Sequence, residues 1–96
     1  MDFKVLFSDE ALNDISEIVE SIAGDNPDAA SRMARSIIDH IKVLQYFPRV
    51  GTIVSRRRKA RRLVHAPYIL YYQIHEIRRV VEILHIWHGS RRRPKL

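Results

Sequence analysis

The second half of the chain carries side chains that could move protons at a phosphodiester. A histidine has an unperturbed pKa of about 6.5, so it can donate or accept a proton near neutral pH. Cleavage of RNA through its 2′-hydroxyl needs a base for that hydroxyl, an acid for the leaving oxygen and a cation for the charged phosphorane. The residues that could fill these roles are His85, His88, Tyr71, Arg91 and Arg92. In the structural alternative, His88 ends a strand and His85 covers a sheet face, and neither is catalytic.

No cofactor and no metal ion is expected at these residues. A spacing of three on a strand points His85 and His88 to opposite faces of a sheet, and the chain has no cysteine to complete a ligand set. The sequence contains no P-loop, no G-x-G-x-x-G and no H-E-x-x-H motif. The lack of cysteine also excludes a disulfide scaffold and thiol catalysis.

A dense run of basic residues indicates an anionic partner. Because clustered like charges cost stability without a polyanion, this run favours a docking rim for an acidic protein segment, a phosphate backbone or a target surface over a merely solvated loop. Trp87 and Tyr71 could stack on bases, but exposed aromatic residues more often anchor a protein partner. A second basic patch lies in the C-terminal tail and includes Arg93. The run itself consists of Arg56, Arg57, Arg58, Lys59, Arg61 and Arg62.

Length and charge narrow the classes of protein. The 96 residues suffice for a single small domain, expected over 1–96 with a basic tail from about residue 91. The formal net charge is +6, but residues 1–48 carry −5 and residues 49–96 carry +11. No apolar run reaches the roughly 20 residues that span a bilayer, and no signal peptide opens the chain. A cytoplasmic protein with no membrane association is therefore expected.

The elements that would position these side chains begin with a strand and two helices. Residues 3–7 form a short apolar run followed by Ser8, a good helix N-cap. Asn26 and Pro27 are typical of a second helix start, as cap and first helical residue. Each helical segment has one apolar stripe, so we predict an antiparallel helical hairpin, which ends near Pro48.

Strands follow the hairpin. Residues 52–60 are interpreted as a basic loop with weak strand character at 52–54, followed by strands at 62–65, 68–74 and 80–87, the last two paired as a hairpin. The predicted class is α+β in the order β-α-α-β-β-β, with the helices packed on one face of a small, mainly antiparallel sheet. Alternation predicts a helix-facing set of Leu70, Tyr72, Ile74, Leu84 and Ile86. The opposite side, here called the open face, is predicted to carry Ile69, Tyr71, Gln73, His85 and Trp87.

Three motifs in this order resemble the RelE/ParE toxins of bacterial type II toxin–antitoxin modules, of the plasmid-stabilisation type. They are P-x-x-G at Pro48 and Gly51, Y-x-x-x-Y at Tyr68 and Tyr72, and the ending His88-Gly89-x-Arg91-Arg92. The resemblance covers nearly the whole chain. It implies a toxin that arrests growth and is neutralised by an antitoxin with an acidic or amphipathic C-terminal segment, in a possible hetero-oligomer.

The resemblance implies one of two targets. RelE-like members are ribosome-dependent endoribonucleases that cut mRNA, and ParE-like members are non-enzymatic poisons of DNA gyrase. RelE-like ribonucleases usually carry an arginine directly after the tyrosine that opens the hairpin strand, where this chain has Ile69. They also use a tyrosine or histidine in a C-terminal extension, and residues 91–96 contain neither. The ParE-like branch is favoured on these grounds. A third alternative, which depends only on the positive C-terminal half, is a non-toxic nucleic-acid-binding module.

Overall fold

Two helices pack on a five-stranded sheet in the computed structural model, which describes residues 2–90. The elements in chain order are β1 Lys4–Phe7, α1 Asp9–Ala23, α2 Pro27–Ile41, a 3₁₀ turn Lys42–Gln45, β2 Thr52–Ser55, β3 Ala60–His65, β4 Tyr68–His75 and β5 Val80–His88. The predicted α+β class is confirmed. The predicted order lacked one strand, because Thr52–Ser55 pairs with β3 as a full strand.

The sheet order is β1-β5-β4-β3-β2. β1 runs parallel to β5, and the other neighbouring strands are antiparallel. β1 and β2 are therefore the two edge strands of residues 2–90, and β5 and β4 lie between them and carry most of the candidate site.

Local capping explains where the helices begin. The Ser8 side chain accepts a hydrogen bond from the Ala11 N–H at 3.0 Å and donates to the Leu84 carbonyl at 2.9 Å. Ser8 thus starts α1 and also ties that start to β5. Asn26 accepts from the Ala29 N–H at 3.0 Å, and Pro27 opens α2, as predicted.

A β-bulge in β5 changes which side chains face the helices. The register passes from the pair Tyr71–His85 to the pair Tyr72–Ile83, which leaves Leu84 as the extra residue. Ile83 is therefore fully buried against the helices, and the prediction that Leu84 faces them is wrong. Strict alternation failed because one inserted residue reverses the facing of every residue beyond it.

The P-x-x-G segment is fixed by a buried tyrosine. The Tyr72 hydroxyl donates to the Pro48 carbonyl at 2.7 Å and accepts from the Gly51 N–H at 2.9 Å. A Cβ on Gly51 would lie 2.4 Å from the Arg62 carbonyl oxygen and 2.6 Å from the Tyr72 hydroxyl, so the position requires glycine. Burial raises the pKa of Tyr72, which keeps the phenol neutral as a donor. The prediction that Tyr72 faces the helices is confirmed, and its hydroxyl has both a donor and an acceptor partner.

Candidate functional site

The open face carries a row of side chains across β3, β4 and β5. Tyr71 lies between Arg62 on β3 and His85 on β5, and Ile69 lies between Val64 and Trp87 in the next row. The strand register therefore brings together Arg62, Tyr71 and His85, which are three of the sequence-predicted site residues.

Tyr71 is less accessible than expected. The residue is only 3% exposed, although its register places it on the open face between Arg62 and His85. A buried phenol has little access to a nucleic acid, so this burial counts against base stacking and proton transfer by Tyr71. Trp87 is half-buried and stands edge-on to His85, with ring centroids 6.4 Å apart.

His85 lies near a carboxylate from α1. Its Nδ1 lies 3.6 Å from Asp14 Oδ2, and the same oxygen accepts the Ile86 N–H at 2.9 Å. β1 pairs with β5 only as far as Ile83. Beyond that point, Asp14 binds the Ile86 N–H, which has no β1 residue opposite it. An imidazole that is near a carboxylate and partly open to solvent is the kind of group that can act as a general base or acid. Asp14 was not predicted as a site residue, because it looked like one of several solvent-facing acids on α1.

His88 lies on the other side of the sheet from His85. It pairs in register with Tyr68, packs edge-on against that ring at 5.5 Å, and bonds the Ser90 hydroxyl through Nδ1 at 2.7 Å. Its side chain lines a cleft of about 270 Å³ together with Asp14 and Glu17 of α1. The two histidines therefore do not converge on one phosphate, as their spacing predicted. Arg91, Arg92 and Arg93, the tail members of the predicted site, lie outside the described residues.

The basic run is distributed around a hairpin rather than along one surface. Arg56, Arg57, Arg58 and Lys59 form the turn between β2 and β3. On β3, Arg61 pairs with Tyr72 on the helix side, and Arg62 pairs with Tyr71 on the open face. Successive side chains of a strand alternate between faces, so positive charge is presented on both sides of the β2–β3 hairpin.

A cluster of polar side chains that sequence reasoning missed joins α2 to the end of β3. Ser36 Oγ lies 2.7 Å from His65 Nε2, and His65 Nδ1 lies 2.8 Å from His40 Nδ1. Burial and then the neighbouring His40 lower the pKa of His65. Nothing in the spacing of these residues signals the cluster, because it depends on how α2 packs beside β3.

Within residues 2–90, no group of three or more histidine, cysteine or acidic side chains is arranged to hold a metal ion. No helix in this described part of the chain has the length and apolar character needed to cross a bilayer.

Comparison with known proteins identifies the family. Residues 5–93 match the family model described as ParE toxin of the type II toxin–antitoxin system, parDE. A curated protein of Sinorhizobium fredii named "Putative toxin Y4kP" is 36% identical over 88 residues, which cover 90% of this chain and 88% of the relative.

Solved structures share the fold. The structure of a chromosomal ParDE system from P. aeruginosa has a TM-score of 0.75 at 18% identity and covers 90% of this chain and 95% of its own. The RelBE2 toxin–antitoxin complex of Mycobacterium tuberculosis has a TM-score of 0.70 at 21% identity, over 92% of this chain and 99% of its own. The intact E. coli RelBE complex has a TM-score of 0.61 at 15% identity, over 93% and 99%. On the family match and the curated relative together, the chain belongs to the ParE toxin family of type II toxin–antitoxin systems, within the RelE/ParE superfamily.

Proposed function

We propose that the protein is a ParE-like toxin that poisons DNA gyrase in the cytoplasm and is neutralised by a cognate antitoxin. The match of residues 5–93 to the ParE family model carries this proposal. A gyrase poison needs a binding surface and no acid–base machinery. The positive β2–β3 hairpin and the half-buried Trp87 offer such a surface.

The open face supports this branch over RNA cleavage. At Ile69, between Val64 and Trp87, the chain has no cation to stabilise a phosphorane. Tyr71 is buried and His88 points to the opposite side of the sheet from His85. A general acid and a general base must both reach the reacting phosphodiester, and this arrangement leaves His85 alone to do so among the described candidates.

An antitoxin partner is part of the proposal. Two of the structures that share the fold are described as toxin–antitoxin complexes, and a third as a ParDE toxin–antitoxin system. The charge of +11 in residues 49–96 favours a partner segment rich in aspartate and glutamate. A complex of the two proteins would be a hetero-oligomer.

Two assays test the target. Induced expression of the protein alone and together with its cognate antitoxin should give growth arrest that the antitoxin relieves, and pulse labelling should show DNA synthesis stopping before protein synthesis. Purified protein should inhibit gyrase supercoiling or accumulate gyrase–DNA cleavage complexes. Unchanged supercoiling and cleavage at micromolar protein would refute the gyrase proposal.

A RelE-like ribonuclease remains the second candidate because of one observation. Asp14 Oδ2 lies 3.6 Å from His85 Nδ1, and His85 lines a cleft that Arg58 also lines, so a proton-transfer group has a carboxylate and a cation nearby. This candidate requires that His85→Gln abolish toxicity while the protein stays folded, with His88→Gln as the matched control on the opposite face. Equal toxicity of both variants at equal expression would eliminate it. The third candidate, a non-toxic nucleic-acid-binding module, requires no arrest and salt-dependent DNA or RNA binding near 0.1 M salt.

A further inference from the structure

A cleft with four basic side chains lies at the β2 end of the sheet and is here called the basic cleft. It is lined by Arg49, Arg56, Lys59 and Arg61, with Ile53 and Ile74 as apolar neighbours, and has a volume of about 280 Å³. Its only acidic lining residue among those described is Glu76, so its formal charge is +3. It lies apart from His85, which lines a different cleft of the surface.

Hydrogen bonds to backbone carbonyls position the Arg61 side chain, and a backbone bond closes the turn that carries Arg56 and Lys59. Arg61 Nη1 donates to the Arg49 carbonyl at 3.1 Å and to the Gly51 carbonyl at 2.8 Å, which fixes its guanidinium beside the P-x-x-G segment. The turn that carries Arg56 and Lys59 is closed by the Lys59 N–H donating to the Arg56 carbonyl at 3.3 Å. A preorganised cation such as Arg61 loses less conformational entropy when an anion binds, which suits the basic cleft to recognition.

A carboxylate of the protein already occupies part of the basic cleft. Glu76 Oε1 accepts a hydrogen bond from Arg49 Nη2, and both side chains are about half exposed (58% for Arg49, 52% for Glu76). An exposed ion pair contributes little to stability, at most about 1 kcal/mol. A carboxylate from another protein could therefore displace Glu76 or bind beside it at small cost.

We propose that the basic cleft binds an acidic peptide segment of the antitoxin, with its carboxylates on the four cations and an apolar side chain against Ile53 and Ile74. The inference rests on the proposed function, since it takes the antitoxin as the partner. Charge complementarity argues for an acidic occupant, and Ile53, which is 39% exposed, argues for an apolar residue within it.

The lining favours a peptide over a nucleic acid. Surfaces that bind single-stranded nucleic acid combine cations with aromatic side chains on which bases stack. No aromatic residue lines the basic cleft within residues 2–90. Beside it, β2 is an edge strand with no neighbouring strand on its outer side in the described part of the chain. An extended peptide could therefore reach the cleft along that edge.

The test uses the whole protein and a defined probe. The probe is a short fluorescein-labelled peptide of alternating glutamate and leucine, compared with a glutamine–leucine peptide and with oligothymidylate, by anisotropy in about 0.15 M salt, where exposed charges are screened beyond about 8 Å. The double variant Arg56→Gln, Lys59→Asn removes two cations from the cleft, and asparagine tolerates the positive φ of 55° at residue 59. The control variant Arg32→Gln, Arg35→Gln removes the same charge from the exposed surface of α2.

We expect the cleft variant to weaken binding of the acidic peptide about tenfold or more, because charge-assisted hydrogen bonds are lost, and the α2 variant to change it less than about twofold. Glu76→Gln should strengthen binding, by up to about fivefold, because it removes the internal competitor for Arg49. Thermal unfolding of each variant, followed by circular dichroism, establishes that it is folded.

Several results would overturn the inference. They are equal binding of the glutamate and glutamine peptides by the unmodified protein, equal losses in the cleft and α2 variants, and tighter, cleft-dependent binding of oligothymidylate. The last result would assign the cleft to nucleic acid. Toxicity is measured separately by growth arrest, so failure of the peptide to bind and failure of the toxin proposal are distinguished.

Discussion

Replacing Tyr72 by phenylalanine should destabilise the fold. It removes the hydroxyl that bonds two backbone groups of the P-x-x-G segment, at least 21 residues earlier in the chain. The hydroxyl donates to the Pro48 carbonyl at 2.7 Å and accepts from the Gly51 N–H at 2.9 Å, and the residue is fully buried. Phenylalanine keeps the ring, so no large cavity forms. The loss comes from leaving a buried donor and a buried acceptor without a partner, at about 1–3 kcal/mol each.

The expected total is about 2–4 kcal/mol, since the two groups share one site and relax together. For a domain of this size, a loss of 1 kcal/mol lowers Tm by about 4–8 °C, so the Tyr72→Phe variant should melt about 8–32 °C below the parent. Circular dichroism melting at one protein concentration measures the shift, and urea titration measures the free energy of unfolding.

Tyr46→Phe is the matched control. It removes the same atom from a residue that is 61% exposed, and a surface change of this kind should cost less than about 0.5 kcal/mol. If Tyr72→Phe is within about 0.5 kcal/mol of the parent, the hydroxyl does not hold the P-x-x-G segment and the reasoning fails.

Three further predictions follow from local contacts. Gly51→Ala should prevent folding or cost more stability than Gly24→Ala, because a Cβ on Gly24 would lie no closer than 3.8 Å to another atom. Urea titration of both variants compares their free energies of unfolding. Because folding lowers the pKa of His65, the unfolded chain binds more protons, so stability should fall as pH drops below about 6.5. His65→Gln should make stability depend less on pH in that range, and an unchanged pH slope would contradict this reasoning. Asp14→Ala should cost about 1–2 kcal/mol by freeing the β5 backbone N–H, whereas Asp14→Asn should retain most of that stability, both measured by thermal melting.

Features set by short stretches of sequence were predictable. Ser8 and Asn26 begin the helices where their side chains can accept backbone N–H bonds a few residues ahead, which requires no knowledge of the tertiary fold. The order of the motifs identified the superfamily. Tyr72 shows why those motifs occur together, since its hydroxyl joins the two ends of P-x-x-G.

Features set by packing were not predictable. The bulge at Leu84 depends on how β4 and β5 meet, and alternation along one strand cannot locate an inserted residue. Tyr71 was placed on the correct face by alternation, but its burial depends on the side chains of two neighbouring strands. The contacts of Asp14 with β5 and of His65 with His40 join residues distant in sequence, and neither residue type signals such a contact.

Substitution of a single side chain, that of His85, can distinguish a gyrase poison from a ribonuclease. Among the described candidates, only His85 combines partial exposure with an ion-pair contact, to Asp14 Oδ2 at 3.6 Å. An enzyme would therefore lose its toxicity with His85→Gln, whereas a gyrase poison that acts by surface binding would keep it, apart from any loss of stability. Because Asp14 also binds the β5 backbone, Asp14→Asn should separate the two roles of that carboxylate. It keeps an oxygen for the Ile86 N–H while removing the charge beside His85. Toxicity that survives both substitutions in folded protein is the result that a binding toxin requires and that a ribonuclease dependent on His85 cannot give.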